Sequence, residues 1–454
     1  MNERKLIMKK ALTEYEIQKR YFISIYLIIF ALIVFSARFT YLQQIEWPIT
    51  TPDSPSYFQL ELWGNQRLYT VPAVFKLLGS HELIVIFNII LGVLAWTAIA
   101  HCMLKLVRDR KALFQTLSIM LLAALATSTP TFISDFYVMS ESINISLSLL
   151  LFASVFRFHL NPTSRHLYLL VLTYTIWLVA KQAHLLTSIF TLAGLVALIF
   201  WKRKFLKNRI WHFAMAYLIT FNTIIFFQLF EPTPTSLWNA VAVVYFIISR
   251  KASWIDWFYE QGWPRNYVSL DAYGNPNISE AISNSVNSEW LQSYGVSVFR
   301  DFLLHHPEYI AFGAFFLPIV GGLAFSWNET VGASFIFGSR WNNGDFPSIP
   351  ANHLNYWWFD NASAFWKVIL ILVFFIIIFL ILQRHSFSKS VFSSNSMFVY
   401  LMVVVVTLLR ANFEWLVAPG DRQRIWPEHA TLIRVCFLFI FLELLGKLHG
   451  SKKS

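Results

Sequence analysis

Residues 21–42, YFISIYLIIFALIVFSARFTYL, form an apolar run long enough to cross a bilayer. Roughly 20 helical residues, at about 1.5 Å each, span the ~30 Å of hydrocarbon. The run is too long for a cleavable signal peptide and no small-residue cleavage site follows it, so it reads as a retained span. Comparable runs recur at approximately 83–104, 112–127, 143–160, 167–180, 184–201, 210–229, 365–383, 395–410 and 429–446. The expected fold is therefore all-α and polytopic, with about 10 transmembrane helices.

Composition agrees. Apolar residues make up 56% of the 454 and charged residues only 13%, far too few to cover a soluble protein of this length. Cys102 and Cys436 both lie inside apolar runs, where buried thiols are expected rather than a disulfide framework. The formal net charge of +11 raises the question of nucleic acid, but its distribution excludes that reading. Basic clusters precede the first run (Arg4, Lys5, Lys9, Lys10, Lys19, Arg20) and recur at Lys105–Lys111, Lys202–Arg209, Arg384–Lys389 and Lys447–Lys453. That alternation is the positive-inside pattern, and it sets both termini in the cytoplasm.

Three regions follow: an N-terminal transmembrane module (1–229), a long extracytoplasmic loop (230–364) and C-terminal transmembrane helices (365–454). The loop carries five Lys/Arg against eleven Asp/Glu and nine of the eighteen tryptophans. Those tryptophans read as a belt contacting membrane lipids at headgroup level, or as surfaces on which sugars stack. Within the loop, 310–327 (IAFGAFFLPIVGGLAFSW) is apolar enough to cross. A crossing there would put Lys447, Lys452 and Lys453 outside, and Pro318, Gly321 and Gly322 weaken a straight helix, so a re-entrant or interfacial segment is expected. Segment 237–249 is too short to span and reads as interfacial.

This topology collects polar chemistry on the outer side. In TPDSPSYFQLE (51–61), Pro52 and Pro55 stiffen the chain on either side of Asp53, with Tyr57 close by. Capping of a short loop helix is the competing explanation for that acid. Asp135 and Glu141, in SDFYVMSES, stand just before the fourth run, where helix-start capping again competes. Lys181 and His184 occupy a very short connection, and a lysine there either snorkels to the headgroups or holds a lipid phosphate. In GDRQRIWPEH (420–429), Arg422 and Arg424 oppose the positive-inside bias and call for an anionic partner. Arg340, in FGSRWNN, is a further possible substrate contact.

Acids and cations on one membrane face suit one reaction in particular. A hydroxyl acceptor needs a carboxylate to take its proton as it attacks, and a departing lipid phosphate needs cations or a metal for its growing charge. Asp53 fits the base, and Lys181, Arg422 and Arg424 fit the phosphate clamp.

At these residues the chain resembles the GT-C superfamily of polytopic glycosyltransferases. That superfamily uses lipid-phosphate sugar donors and includes protein O-mannosyltransferases and lipid A aminoarabinose transferases. Asp53, Tyr57 and Pro72 match the family's first outer loop. Ser140-Glu141-Ser142 is similar to the step that opens its fourth span, and Lys181 stands where relatives carry an arginine. Arg424 and Pro427 match its closing motif, with Ile425 in place of the usual aromatic. The resemblance implies a GT-C-like arrangement and inverting transfer from a polyprenyl-phosphate-linked sugar to a glycan, lipid or protein acceptor. Asp53 would be the base, and Asp135 and Glu141 would position acceptor or metal. A divalent ion (Mg or Mn) held by Asp53, Asp135 and Glu141 is the cofactor such a site would take, and Tyr57, His184 and Arg340 would touch substrate. The expected setting is a bacterial inner membrane with the site facing the periplasm. An O-antigen-type polymerase or ligase, leaning on arginines and histidines of the long loop, and a lipid or solute transporter are the alternatives.

Overall fold

A computed structural model of the chain describes residues 2–43, 45, 47–50, 54–58, 70–108, 110–128, 132–227, 252–263, 290–308, 395–417 and 422–450. The expected segments 237–249, 310–327 and 365–383 lie outside the described residues. Within them the fold is almost entirely helical, with no strand.

The expected run 21–42 is the apolar part of a longer helix, α1 (Asn2–Leu42), because the Lys-, Glu- and Leu-rich stretch before it consists mostly of good helix formers. A short helix, α2 (Thr70–Leu78), ends at Gly79, whose φ of +75° is the left-handed conformation that closes a helix at little cost to glycine. Ser80 then caps α3 (His81–Leu106), its hydroxyl accepting from the Leu83 N–H, with Glu82 in the first turn complementing the helix dipole. The bundle continues with α4 (Ala112–Ala126), α5 (Glu141–Leu160), α6 (Ser164–Leu178), α7 (Gln182–Lys202) and α8 (Asn208–Phe227). Its C-terminal helices are α11 (Asn395–Val417) and α12 (Arg422–Gly450), while α9 (Ala252–Glu260) and α10 (Val296–His305) belong to the region 230–364.

One expectation needs correcting. The last outer loop, read as 411–428, is mostly helix among the described residues, because α11 runs on to Val417 and α12 begins at Arg422. Arg422 and Arg424 therefore ride on the first turn of a helix.

Among the described residues three helices, over Tyr21–Leu42, His81–Leu106 and Glu141–Leu160, are long and apolar enough to cross a membrane. The exposed side of α1 carries Ile25, Ile28, Ile29, Leu32 and Phe35, a surface that lipid would cover. α5 is the opposite case: nearly every residue is buried, and it packs against α3, α6, α11 and α12. Its buried Ser142, Ser146, Ser148 and Ser154 are small enough to let neighbouring helices approach. One core joins α1, α3, α4, α5, α11 and α12 around Trp96, Phe156, Tyr400 and Phe439. A second joins α2, α3, α5, α6, α7 and α8 around Phe75, Tyr174 and Trp177.

In the outer region, Trp254 and Trp263 are buried. Trp254 packs edge-on to Phe302, and Trp263 packs against Phe258 and Trp290. The rings of these two tryptophans form a small protein core, which leaves neither face open for a sugar.

Gly194 brings α7 against α11, since a Cβ there would meet Val406 Cγ2 at 3.3 Å and Met402 Sδ at 3.6 Å. Gly194→Leu is expected to force the two helices apart and destabilise the fold by about 1–3 kcal/mol, as overpacking does. Thermal unfolding in detergent should show a lowered midpoint, with Gly194→Ala affected less.

Candidate functional site

Three junctions bring polar residues from separate segments together. The first joins the segment before α2 to the segment before α5. The Ile49 N–H donates to the Phe136 carbonyl at 3.0 Å and the Val138 N–H to the Ile49 carbonyl at 3.0 Å, a single parallel bridge. The Ser54 hydroxyl donates to the Val138 carbonyl at 2.9 Å, and the Tyr57 hydroxyl lies 3.1 Å from Ser140 Oγ, with both side chains buried. Ser54 opens a short 3-10 turn (Ser54–Phe58), so the chain immediately after Asp53 is fixed to the loop that precedes α5. Asp53 itself lies outside the described residues. The Thr70 N–H donates to the Val179 carbonyl at 3.3 Å, tying the start of α2 to the α6–α7 connection.

The second junction is a buried ion pair. Arg38, near the end of α1, donates from Nε to Asp135 Oδ2 at 2.7 Å. The Ser142 hydroxyl donates to the other carboxylate oxygen at 2.5 Å. Arg38 Nη1 also donates to the carbonyls of Val34 and Ala126 at 3.3 Å, and the Asn88 amide donates to the Asp135 and Tyr137 carbonyls. Gly92 makes room for the pair, since a Cβ there would stand 3.3 Å from Asp135 Oδ2. Asp135 itself lies in a short 3-10 turn (Ile133–Phe136) between α4 and α5. The Asn88 amide meets two carbonyls of this segment, as buried backbone between helices requires.

The third junction centres on Glu428. Oε1 accepts from Arg410 Nη2 at 3.0 Å and from the Ser148 hydroxyl at 2.6 Å, and Oε2 lies 3.3 Å from His184 Nε2. His184 Nδ1 sits 2.7 Å from the Trp177 carbonyl, which can only accept, so that nitrogen carries a hydrogen. Arg410 Nε donates to Thr187 Oγ1 at 3.2 Å, and the Trp177 indole N–H donates to Ser148 Oγ at 2.8 Å. The Trp177 ring stacks on His184 at 4.3 Å, and the Arg410 guanidinium sits 4.5 Å from the same ring. Glu428, Arg410 and His184 are all buried. Beneath them Arg410, Ser148, Thr191 and Thr407 line the polar side of a cavity of about 50 Å³.

The structure therefore engages several of the residues expected from sequence. Asp135 is 2% exposed, with both carboxylate oxygens taken by Arg38 and Ser142, and it acts on its surroundings through that lock. Glu141 is buried in the first turn of α5, where an acid complements the helix dipole. Tyr57 meets Ser140, and His184 meets Glu428. Lys181 stands at the N-cap of α7. Arg422 and Arg424 lie on the first turn of α12, and Arg340 lies outside the described residues. Among the described residues no group of three or more His, Cys, Asp or Glu could hold a metal ion. With its oxygens occupied by Arg38 and Ser142, Asp135 does not fit the role of metal ligand.

Sequence reasoning missed Arg38, Arg410, Ser148 and Glu428 as partners. The available signal was a lone arginine near the end of each of two apolar runs, since a cation at such depth needs an anion. Compared with family models, curated proteins and solved structures, the chain matches none.

Removing one member of a buried pair leaves a charge without compensation, which typically costs about 3–5 kcal/mol. Arg38→Met is expected to destabilise by that order, and adding Asp135→Asn should recover a substantial part. The check is the thermal midpoint of each variant against the wild type, because a double variant no better than Arg38→Met would deny the coupling.

Proposed function

We propose that the chain is a multi-pass membrane glycosyltransferase of GT-C-like arrangement that moves a sugar from a polyprenyl-phosphate donor to an acceptor on the extracytoplasmic face. One observation carries the reading: the early outer loops, the Lys181 connection and the start of α12 are tied together at one level of the bundle. Tyr57–Ser140, Thr70–Val179 and His184–Glu428 make the ties. These are the segments that hold the expected base and the expected phosphate clamp.

In this mechanism Asp53 takes the proton of the acceptor hydroxyl as its oxygen attacks the anomeric carbon. The bond between that carbon and the phosphate oxygen breaks, and the configuration inverts. Lys181, Arg422 and Arg424 stabilise the negative charge that grows on the departing lipid phosphate. Glu141 and Asp135 hold the start of α5 and the loop before it, against which the acceptor is positioned. The lipid tail explains why the chemistry sits at a membrane surface. A bacterial inner membrane with a periplasmic site is the setting this reading implies.

A second reading, a transporter, draws on the buried Glu428–Arg410–His184 centre, because ionisable groups inside helix bundles serve ion and proton pathways. Uptake of a labelled solute by proteoliposomes holding only this protein, with no lipid phosphate released from any donor, would favour it.

The test is incubation of purified protein with a panel of polyprenyl-phosphate sugars, reading free lipid phosphate. Asp53→Asn is expected to lower release by at least about 10²-fold, the usual contribution of a general base, while leaving expression and folding intact. Full activity in that variant would remove the base assignment.

A further inference from the structure

Glu428 has no assigned role in the transfer just described, yet it is the group on which four elements converge. Ser148 comes from α5, His184 from α7, Arg410 from α11, and Glu428 itself from α12. Its place in the sequence gives that convergence a consequence. Arg424 lies four residues before Glu428 on the same helix, one turn or about 6 Å along the axis. Lys181 lies three residues before His184, at the N-cap of α7. The His184–Glu428 contact, 3.3 Å long, therefore links the first turns of the two helices, α7 and α12, whose starts carry Lys181 and Arg424.

The contact is also braced from behind. The Trp177 ring lies against both His184 and Arg410, its indole N–H donates to Ser148, and Ser148 in turn donates to Glu428. Every polar partner of the carboxylate is thus held by a further contact, and Glu428, Arg410 and His184 are all buried. Buried, fully bonded centres of this kind specify one arrangement of their elements.

We propose that Glu428 is a positioning residue for phosphate recognition. It fixes the first turns of α7 and α12 at the separation that lets Lys181, Arg422 and Arg424 close on one lipid phosphate. The inference rests on the transferase reading above and deepens it, since it names the phosphate of the lipid carrier as the group whose binding depends on Glu428. The carboxylate touches no substrate. Its effect passes through the two helix starts that it joins.

The experiment compares two probes on full-length protein in nanodiscs: polyprenyl phosphate and the neutral polyprenol of the same chain length. Glu428→Gln keeps the shape of the side chain and removes its charge. Its expected effect is a weakening of polyprenyl-phosphate binding by about tenfold, the order by which network residues modulate a distant site, with polyprenol binding unchanged. Ser148→Ala, which removes one of the carboxylate's donors, should weaken phosphate binding in the same sense but less, and it keeps the test open if Glu428→Gln does not fold. Equal loss for both probes would mean a merely structural role and overturn the proposal, as would unchanged phosphate binding in folded protein. If the wild type binds polyprenyl phosphate and releases it from a sugar donor while the variants behave like wild type, this inference alone fails. If the wild type neither binds the phosphate nor releases it from any donor, the transferase reading fails and the positioning role falls with it.

Discussion

A carboxylate taken out of water has to be met by cations and hydrogen-bond donors, or its desolvation costs several kcal/mol. Glu428 and Asp135 are both in this position, and the bundle is arranged around meeting them. Glu428 draws Arg410 and His184 to itself, which joins α5, α7, α11 and α12 at one buried centre. Asp135 draws Arg38, which holds the 3-10 turn before α5 against α1 and α3. Neither pair is strong evidence for net stability, because apolar replacements of similar volume often do as well. What a paired charge supplies is specificity, since a helix that slid by one turn would leave both partners stranded.

The helical bundle was largely legible from the sequence, because an apolar run of about 20 residues has few alternatives to a helix in a bilayer. The runs at 83–104, 112–127, 143–160 and 184–201 each fall on a helix whose ends differ by a few residues. The ends of α11 and α12 were less legible. Hydropathy falls at Arg410, but the backbone hydrogen bonding of a helix does not stop there, and α11 continues to Val417. Several candidate residues were visible as residues and invisible as pairs. Asp135 and His184 stood out by type and side of the membrane, yet Arg38 lies 97 positions from Asp135, and Glu428 lies 244 from His184. Periodicity says nothing about contacts at that separation. The tryptophans of the outer region show the converse. Their chemistry suits both sugar stacking and a membrane belt, but Trp254 and Trp263 are used to fold the segment itself.

The bridge between the first two outer loops has a different character from the ion pairs. It is made of main-chain groups, the Ile49 N–H and carbonyl with the Phe136 carbonyl and the Val138 N–H, and these exist whatever the side chains are. The two loops can therefore exchange nearly all of their surface residues while remaining fastened to each other. A lineage with this bundle is free to try new side chains on those two segments without first having to reinvent the frame that presents them.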